Sequence, residues 1–191
     1  MKALNDVCLK EWSVVNRALR EGWQVFLLRK GGVAEVGGRF RLEEDEFFLF
    51  PTLEHQDAAG LQERYRDWIA DAERQKPASG EVLVDVYARL DEVHRVSDPA
   101  RLARVLPHTV WSEDFLRRRL EYKPEEPLHL VFLRCFRTPH PHKVPDDPSY
   151  AGCTSWVKVK TPLAPGRFYP VFSPEVFAAK KKAVLDALNG P

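Results

Sequence analysis

Cysteine is scarce: Cys8, Cys135 and Cys153 are the only three in 191 residues. Thiols so few and so scattered cannot staple a small secreted domain. No apolar run approaches the roughly 18 residues of a membrane span. Asp6 and Glu11 interrupt the stretch where a signal peptide needs an apolar core. The expectation is a reduced, cytoplasmic chain with no membrane partner. Neither sign of charge dominates, with 29 Lys and Arg against 28 Asp and Glu and a net charge of +1. That excludes a molecule that is polycationic as a whole. GxGxxG, the eight-residue phosphate loop, CxxC pairs and internal repeats are all absent.

Hydrophobic residues make up 44% of the chain and charged residues 30%, a globular balance that excludes global disorder. The length suits one domain over residues 1–191, divisible at most into 1–76 and 77–191. The charge is uneven along the chain. Residues 43–92 hold 14 acids and 5 bases, whereas residues 134–182 hold 9 bases and 3 acids. Such asymmetry either steers an anionic partner to one face or disappears when the two stretches meet in the fold.

Val7, Cys8, Trp12, Val15, Ala18 and Leu19 recur at helical spacing and predict a helix over 6–21, stopped by Gly22. Short apolar runs at 24–29, 39–42 and 47–50, punctuated by Gly31-Gly32 and Gly37-Gly38, predict a strand meander. A helix is expected over 56–75 and a long strand or two over 82–96. Asp98-Pro99 signals a short helix at 101–106, and Ser112 caps another to about Tyr122. Leu128 to Phe136 is the most apolar strand. Residues 138–152, with four prolines, read as an ordered loop. A strand over 154–160 and a helix over 174–188 complete an α+β fold. Its sheet is expected to be mixed and mainly antiparallel, or a small barrel, with flanking helices.

Five groupings bear on chemistry. Arg29-Lys30-Gly31-Gly32 joins two cations to a flexible turn and suits an anion, or is simply an exposed hairpin. Glu54-His55-Gln56 follows Pro51-Thr52 at a strand-to-helix junction. There Glu54 and His55 suit acid–base work, or the segment merely starts a helix. Cys135, His140, His142 and Cys153 supply zinc-type donors without zinc-type spacing, so no metal is assigned. Cys153 among hydroxyls lacks a thiol-hydrolase motif, whereas Trp156 with Lys158, Lys160 and Tyr150 suits stacking on single-stranded nucleic acid. The plain alternative is a core tryptophan beside surface lysines. A nuclease-type acid-x-Lys pair occurs once, at Glu121-Tyr122-Lys123, in a helix-end context that does not suit it.

Lys10-Glu11-Trp12, Leu27 to Gly32 (LLRKGG), Phe48 to Thr52 with Glu54-His55-Gln56, and Tyr150 to Val157 (YAGCTSWV) together resemble the bacterial family catalogued as domain of unknown function 1802. The resemblance spans nearly the whole chain. Val33 stands where isoleucine is usual in that family, and Leu53 where tyrosine is frequent. Neither change alters the site chemistry. The family implies no established activity or cofactor. It marks Lys10, Glu11, Trp12, Arg29, Lys30, Gly31, Gly32, Glu54, His55, Gln56 and Trp156 as positions to test.

Two functions follow. One is binding of nucleic acid or a nucleotide through Lys10, Arg29, Lys30, Gly31, Gly32, Gln56, Trp156 and Lys158, helped by the basic C-terminal third. The other is a small hydrolase or metal-dependent nuclease using Glu11, Glu54 and His55. If strands 24–29 and 46–50 run the same way, Arg29, Lys30, Glu54 and His55 face one cleft.

Overall fold

The computed structural model describes residues 3–30, 33–36, 39–42, 44–78, 80–152, 154–164, 166 and 168–190, with backbone alone for 33–36 and 39–42. Gly31, Gly32, Gly37, Gly38 and Cys153 lie outside the described residues. The chain runs β1 (Asn5–Trp12), α1 (Ser13–Glu21), β2 (Phe26–Arg29), β3 (Val33–Val36), β4 (Arg39–Leu42), β5 (Glu46–Thr52), α2 (Asp67–Arg74) and β6 (Glu81–Val96). It continues through α3 (Pro99–Ala103), α4 (Glu113–Glu121), β7 (Leu128–Pro145), β8 (Trp156–Leu163), β9 (Tyr169–Pro170) and α5 (Pro174–Asn189).

Seven strands form one sheet in the order β2-β7-β6-β5-β1-β8, with β9 attached to β7. Among the described residues only β1 and β5 pair in parallel; the other pairings are antiparallel. The fold is therefore α+β around a mixed, mainly antiparallel sheet. The sheet is open, ending at β2 and β8, and is not a closed barrel.

The sheet is covered on both faces. One core gathers Leu9, Phe47, Leu49, Phe132 and Leu133 with Val15 and Leu19 of α1, Leu116 of α4 and Val184 of α5. The other gathers Cys8, Phe48, Phe50, Tyr87, Phe136, Tyr150 and Val157. Burial pushes the thiols of Cys8 and Cys135 up to about 12, so both are inert at neutral pH.

Four expectations about the elements need correction. Residues 6–12 are a strand, and the helix begins only at Ser13. Val7, Cys8 and Leu9 are consecutive buried residues, the pattern of a strand covered on both faces, and their partial helical spacing is coincidental. The 24–50 meander is broken as well, because β3 and β4 form a two-stranded sheet of their own.

Over 56–75 only α2 is α-helical, preceded by single 3-10 turns at Ala58–Gly60 and Glu63–Tyr65. Between those turns Leu61 bridges to Trp111, and Gln62 N–H donates to the Val110 carbonyl, which holds the chain extended.

Residues 138–145, expected to be loop, extend β7 alongside the start of β6. Pro139 and Pro141 fall in a register irregularity between Arg137 and His142, where β7 makes no regular pairing with β6, and Pro145 ends the strand. This stretch of β7 has no second neighbouring strand among the described residues, and there proline costs no ladder bond.

The caps at Asp98 and Ser112 are as expected, and Ser173 caps α5 in the same way. α1 lacks a local cap. The Gln56 side-chain oxygen accepts from Ser13 Oγ and, at 3.3 Å, from Val14 N–H. α1 ends at Gly22, whose φ of 80° is left-handed. A Cβ there would also overlap the Phe172 ring. Gly22→Ala is expected to cost at least the roughly 1–2 kcal/mol of a left-handed L-residue, read from urea unfolding; an unchanged midpoint would contradict this packing.

Burial lowers the pKa of His108, His129 and His142, aided at His108 by Lys180 and at His129 by Arg95. The unfolded chain takes up these protons near pH 6.5, whereas the folded chain takes them up only at lower pH. The stability present above that pH therefore falls as pH drops below it. Thermal melts at pH 7.5 and pH 5 should show the lower midpoint at pH 5, and a midpoint as high at pH 5 would contradict it.

Candidate functional site

A cleft of about 790 Å³ opens between α1, α2, the end of β5, the start of β6 and the 146–151 segment. Lys10 lies at its base, only 8% exposed. Its ammonium donates to the Tyr150 carbonyl at 2.7 Å and the Gly152 carbonyl at 2.8 Å, and lies 3.7 Å from Glu54 Oε2. The two carbonyls take two of the three ammonium donors, and Glu54 is a longer-range ion partner. Glu54 keeps half of its side chain exposed.

The walls pair their own charges. Arg17 meets Asp71 at 2.9 Å and Glu21 at 3.0 Å, and stacks over Trp68. Arg20 meets Asp85 at 2.6 Å. Asp147 is held well below the usual carboxylate range by hydrogen bonds from Lys160 and Ser149. Phe50, Tyr150 and Trp68 add aromatic surface.

Asn16 supplies an acceptor. Its Nδ2 donates to the Glu11 carbonyl at 3.1 Å, which fixes the amide orientation, since a flip would face oxygen to oxygen. Oδ1 is then left buried without a protein partner on the cleft wall.

The sequence candidates divide between two places. Lys10 and Glu54 share the cleft, whereas Arg29, Lys30 and His55 do not line it. Successive residues of a strand point to opposite faces, so Glu11 lies across β1 from Lys10. There Arg29 Nη1 lies 3.3 Å from Glu11 Oε2 and 3.4 Å from the Lys10 carbonyl. Lys30 turns instead to the end of α4 and donates to the Leu120 and Tyr122 carbonyls.

The single-cleft expectation fails on strand direction. Antiparallel pairings from β2 to β7, β7 to β6 and β6 to β5 set β2 against β5. The proposed acid–base set of Glu11, Glu54 and His55 is likewise not gathered. His55 is exposed at a φ of 58°, and Gln56 serves as the α1 cap.

Trp156 is not a free stacking surface: it packs edge-on against Phe47 at 5.1 Å. Lys158 is exposed on β8, and Lys160 pairs with Asp147. Cys135 belongs to one core, and His142 packs on Phe48 of the other. Among the described residues no group of three or more His, Cys, Asp or Glu could hold a metal ion. Sequence reasoning missed Asn16 and Arg17, which line the cleft from α1.

The chain belongs to the family described as domain of unknown function (DUF1802), whose model matches residues 8–183. No curated relative matches the sequence. Among solved structures it is similar to a mutant ZmASCH protein from Zymomonas mobilis, at 11% identity and a TM-score of 0.46, covering 84% of this chain and 92% of that one. No described helix is long and apolar enough to cross a membrane.

Lys10→Met would leave the Tyr150 and Gly152 carbonyls without their donor. The expected loss is about 1–3 kcal/mol for each acceptor left buried, read from urea unfolding. A variant as stable as the parent would show that the ammonium does not anchor the 150–152 segment.

Proposed function

We propose that this member of the family binds a nucleoside-sized ligand in the cleft above Lys10 and Glu54, gripping its heterocycle and not a phosphate. The pairing of the cleft's own charges carries this reading. Lys10, Arg17 and Arg20 already face Glu54, Asp71 and Asp85. A phosphate entering there must compete with carboxylates, whereas a neutral ring carrying N–H donors does not. The half-exposed Glu54 carboxylate accepts from such donors. The aromatic walls suit ring faces. The volume falls within the roughly 300–1,000 Å³ of small-molecule sites.

Polynucleotide binding has less support, because much of the basic C-terminal third is neutralised within the fold. Lys143 meets Glu81, Lys181 meets Asp91 and Glu92, and Lys182 meets Asp186.

Hydrolysis is the second reading, favoured by the half-exposed Glu54 carboxylate beside Lys10, placed to take a proton from a water at the ligand. Calorimetric titration with a panel of unphosphorylated nucleosides, with chromatography of the mixtures, separates the two. The binding reading expects saturable binding of at least one nucleoside, weakened about tenfold by Glu54→Gln, the ~1.4 kcal/mol of one hydrogen bond to a charged acceptor. Binding by none, or an unchanged affinity in Glu54→Gln, would remove it. Product formation that Glu54→Gln abolishes while binding persists would establish hydrolysis instead.

A further inference from the structure

Lys10 reaches the cleft with one donor to spare. Its side chain is 8% exposed, and its ammonium is held by the Tyr150 and Gly152 carbonyls at 2.7 and 2.8 Å. Those two bonds leave the third N–H without a hydrogen-bond partner. Glu54 Oε2 stands 3.7 Å away, beyond hydrogen-bond reach. A tetrahedral ammonium tied at two corners has its third donor fixed in direction. Both Lys10 and Glu54 line the cleft, so polar atoms on one ring edge can meet the two together.

Glu54 offers the complement. Its backbone N–H donates to Thr52 Oγ1 at 3.1 Å, which ties the turn after β5. Its half-exposed carboxylate has two oxygens, both acceptors, and among the described residues no hydrogen bond within the protein reaches either. Apolar surface flanks the pair. Phe50 is the β5 neighbour of Lys10, and the half-buried Pro51 and Leu53 line the cleft beside Glu54.

The pair therefore presents one donor followed by two acceptors. A matching ligand edge carries one acceptor followed by two donors. Among the common bases that order belongs to guanine, whose 6-oxo group, ring N–H and 2-amino group lie in a row. Hypoxanthine lacks the amine. Uracil follows its N–H with a second carbonyl, which would face a carboxylate oxygen. Adenine and cytosine set a bare ring nitrogen where the carboxylate needs a donor.

The geometry points to a guanine-type base, a 2-amino-6-oxopurine carried as a nucleoside, as the ligand class of the cleft. Lys10 donates to the 6-oxo group, and the two Glu54 oxygens accept from the ring N–H and the 2-amino group. This assignment rests on the nucleoside reading of the same cleft and adds the identity of the base.

The test is calorimetric titration of guanosine, inosine, adenosine and cytidine into the parent chain and into Glu54→Gln, each checked for folding by thermal melt. Changing the ligand probes the Lys10 contact without removing the anchor of the 150–152 segment, and the parent titrations decide the assignment by themselves. The parent should bind guanosine about tenfold tighter than inosine, the worth of one hydrogen bond to a charged acceptor. Adenosine and cytidine should bind at least about a hundredfold more weakly than guanosine, because they leave buried polar groups unmatched. In Glu54→Gln the preference for guanosine over inosine should shrink towards unity, because a carboxamide has one acceptor oxygen. Saturable binding by none of the four overturns both this assignment and the nucleoside reading. Adenosine, cytidine or inosine binding as tightly as guanosine overturns the guanine assignment alone and leaves the nucleoside reading standing. An undiminished preference over inosine in a folded Glu54→Gln overturns the pairing of Glu54 with the 2-amino group.

Discussion

β1 is covered on both faces, and every polar group near its C-terminal end must find a partner within the fold. Cys8 and Leu9 are fully buried on opposite sides, and Lys10 and Glu11 continue that alternation. The strand therefore sends an ammonium to one face and a carboxylate to the other. Each charge recruits chain from far away: Lys10 draws in the carbonyls of Tyr150 and Gly152, and Glu11 draws in Arg29. The cleft and the Arg29–Glu11 pair are two consequences of one buried strand.

The same constraint explains why α1 depends on a residue remote in sequence. The chain passes from β1 directly into the helix at Ser13, leaving no room for a local capping turn. Gln56, just beyond β5, supplies the acceptor because β1 and β5 run parallel and their C-terminal ends lie side by side. The segment that begins as a candidate acid–base motif is thereby divided: Glu54 faces the cleft, Gln56 caps the helix, and His55 is left outside.

Long-range pairing also settles the charge asymmetry. The acidic stretch and the basic C-terminal third meet in part, through Glu81 with Lys143 and Asp91 and Glu92 with Lys181. Exposed pairs of this kind contribute little to stability. Their functional effect is to neutralise part of the basic surface that a polynucleotide would use. Lys158 and Lys180 stay exposed, whereas Arg29 is turned inward against Glu11.

The sequence by itself determined the family, the α+β class, the caps at Asp98 and Ser112, and the long strands from 82 and 128. Those features rest on residues within a few positions of one another, or on motif strings. It singled out Lys10, Glu11, Arg29 and Glu54 without assigning their partners. Tertiary structure alone decided that residues 6–12 are strand, that prolines 139, 141 and 145 belong to β7, and that β2 opposes β5. In each case a local preference was overruled by a neighbour distant in sequence: β5 and β8 beside β1, β6 beside β7, and β7 between β2 and β6. Periodicity shows which residues seek burial. Strand order and direction decide which charges meet, because the free energy of bringing them together lies in pairings that no local window contains.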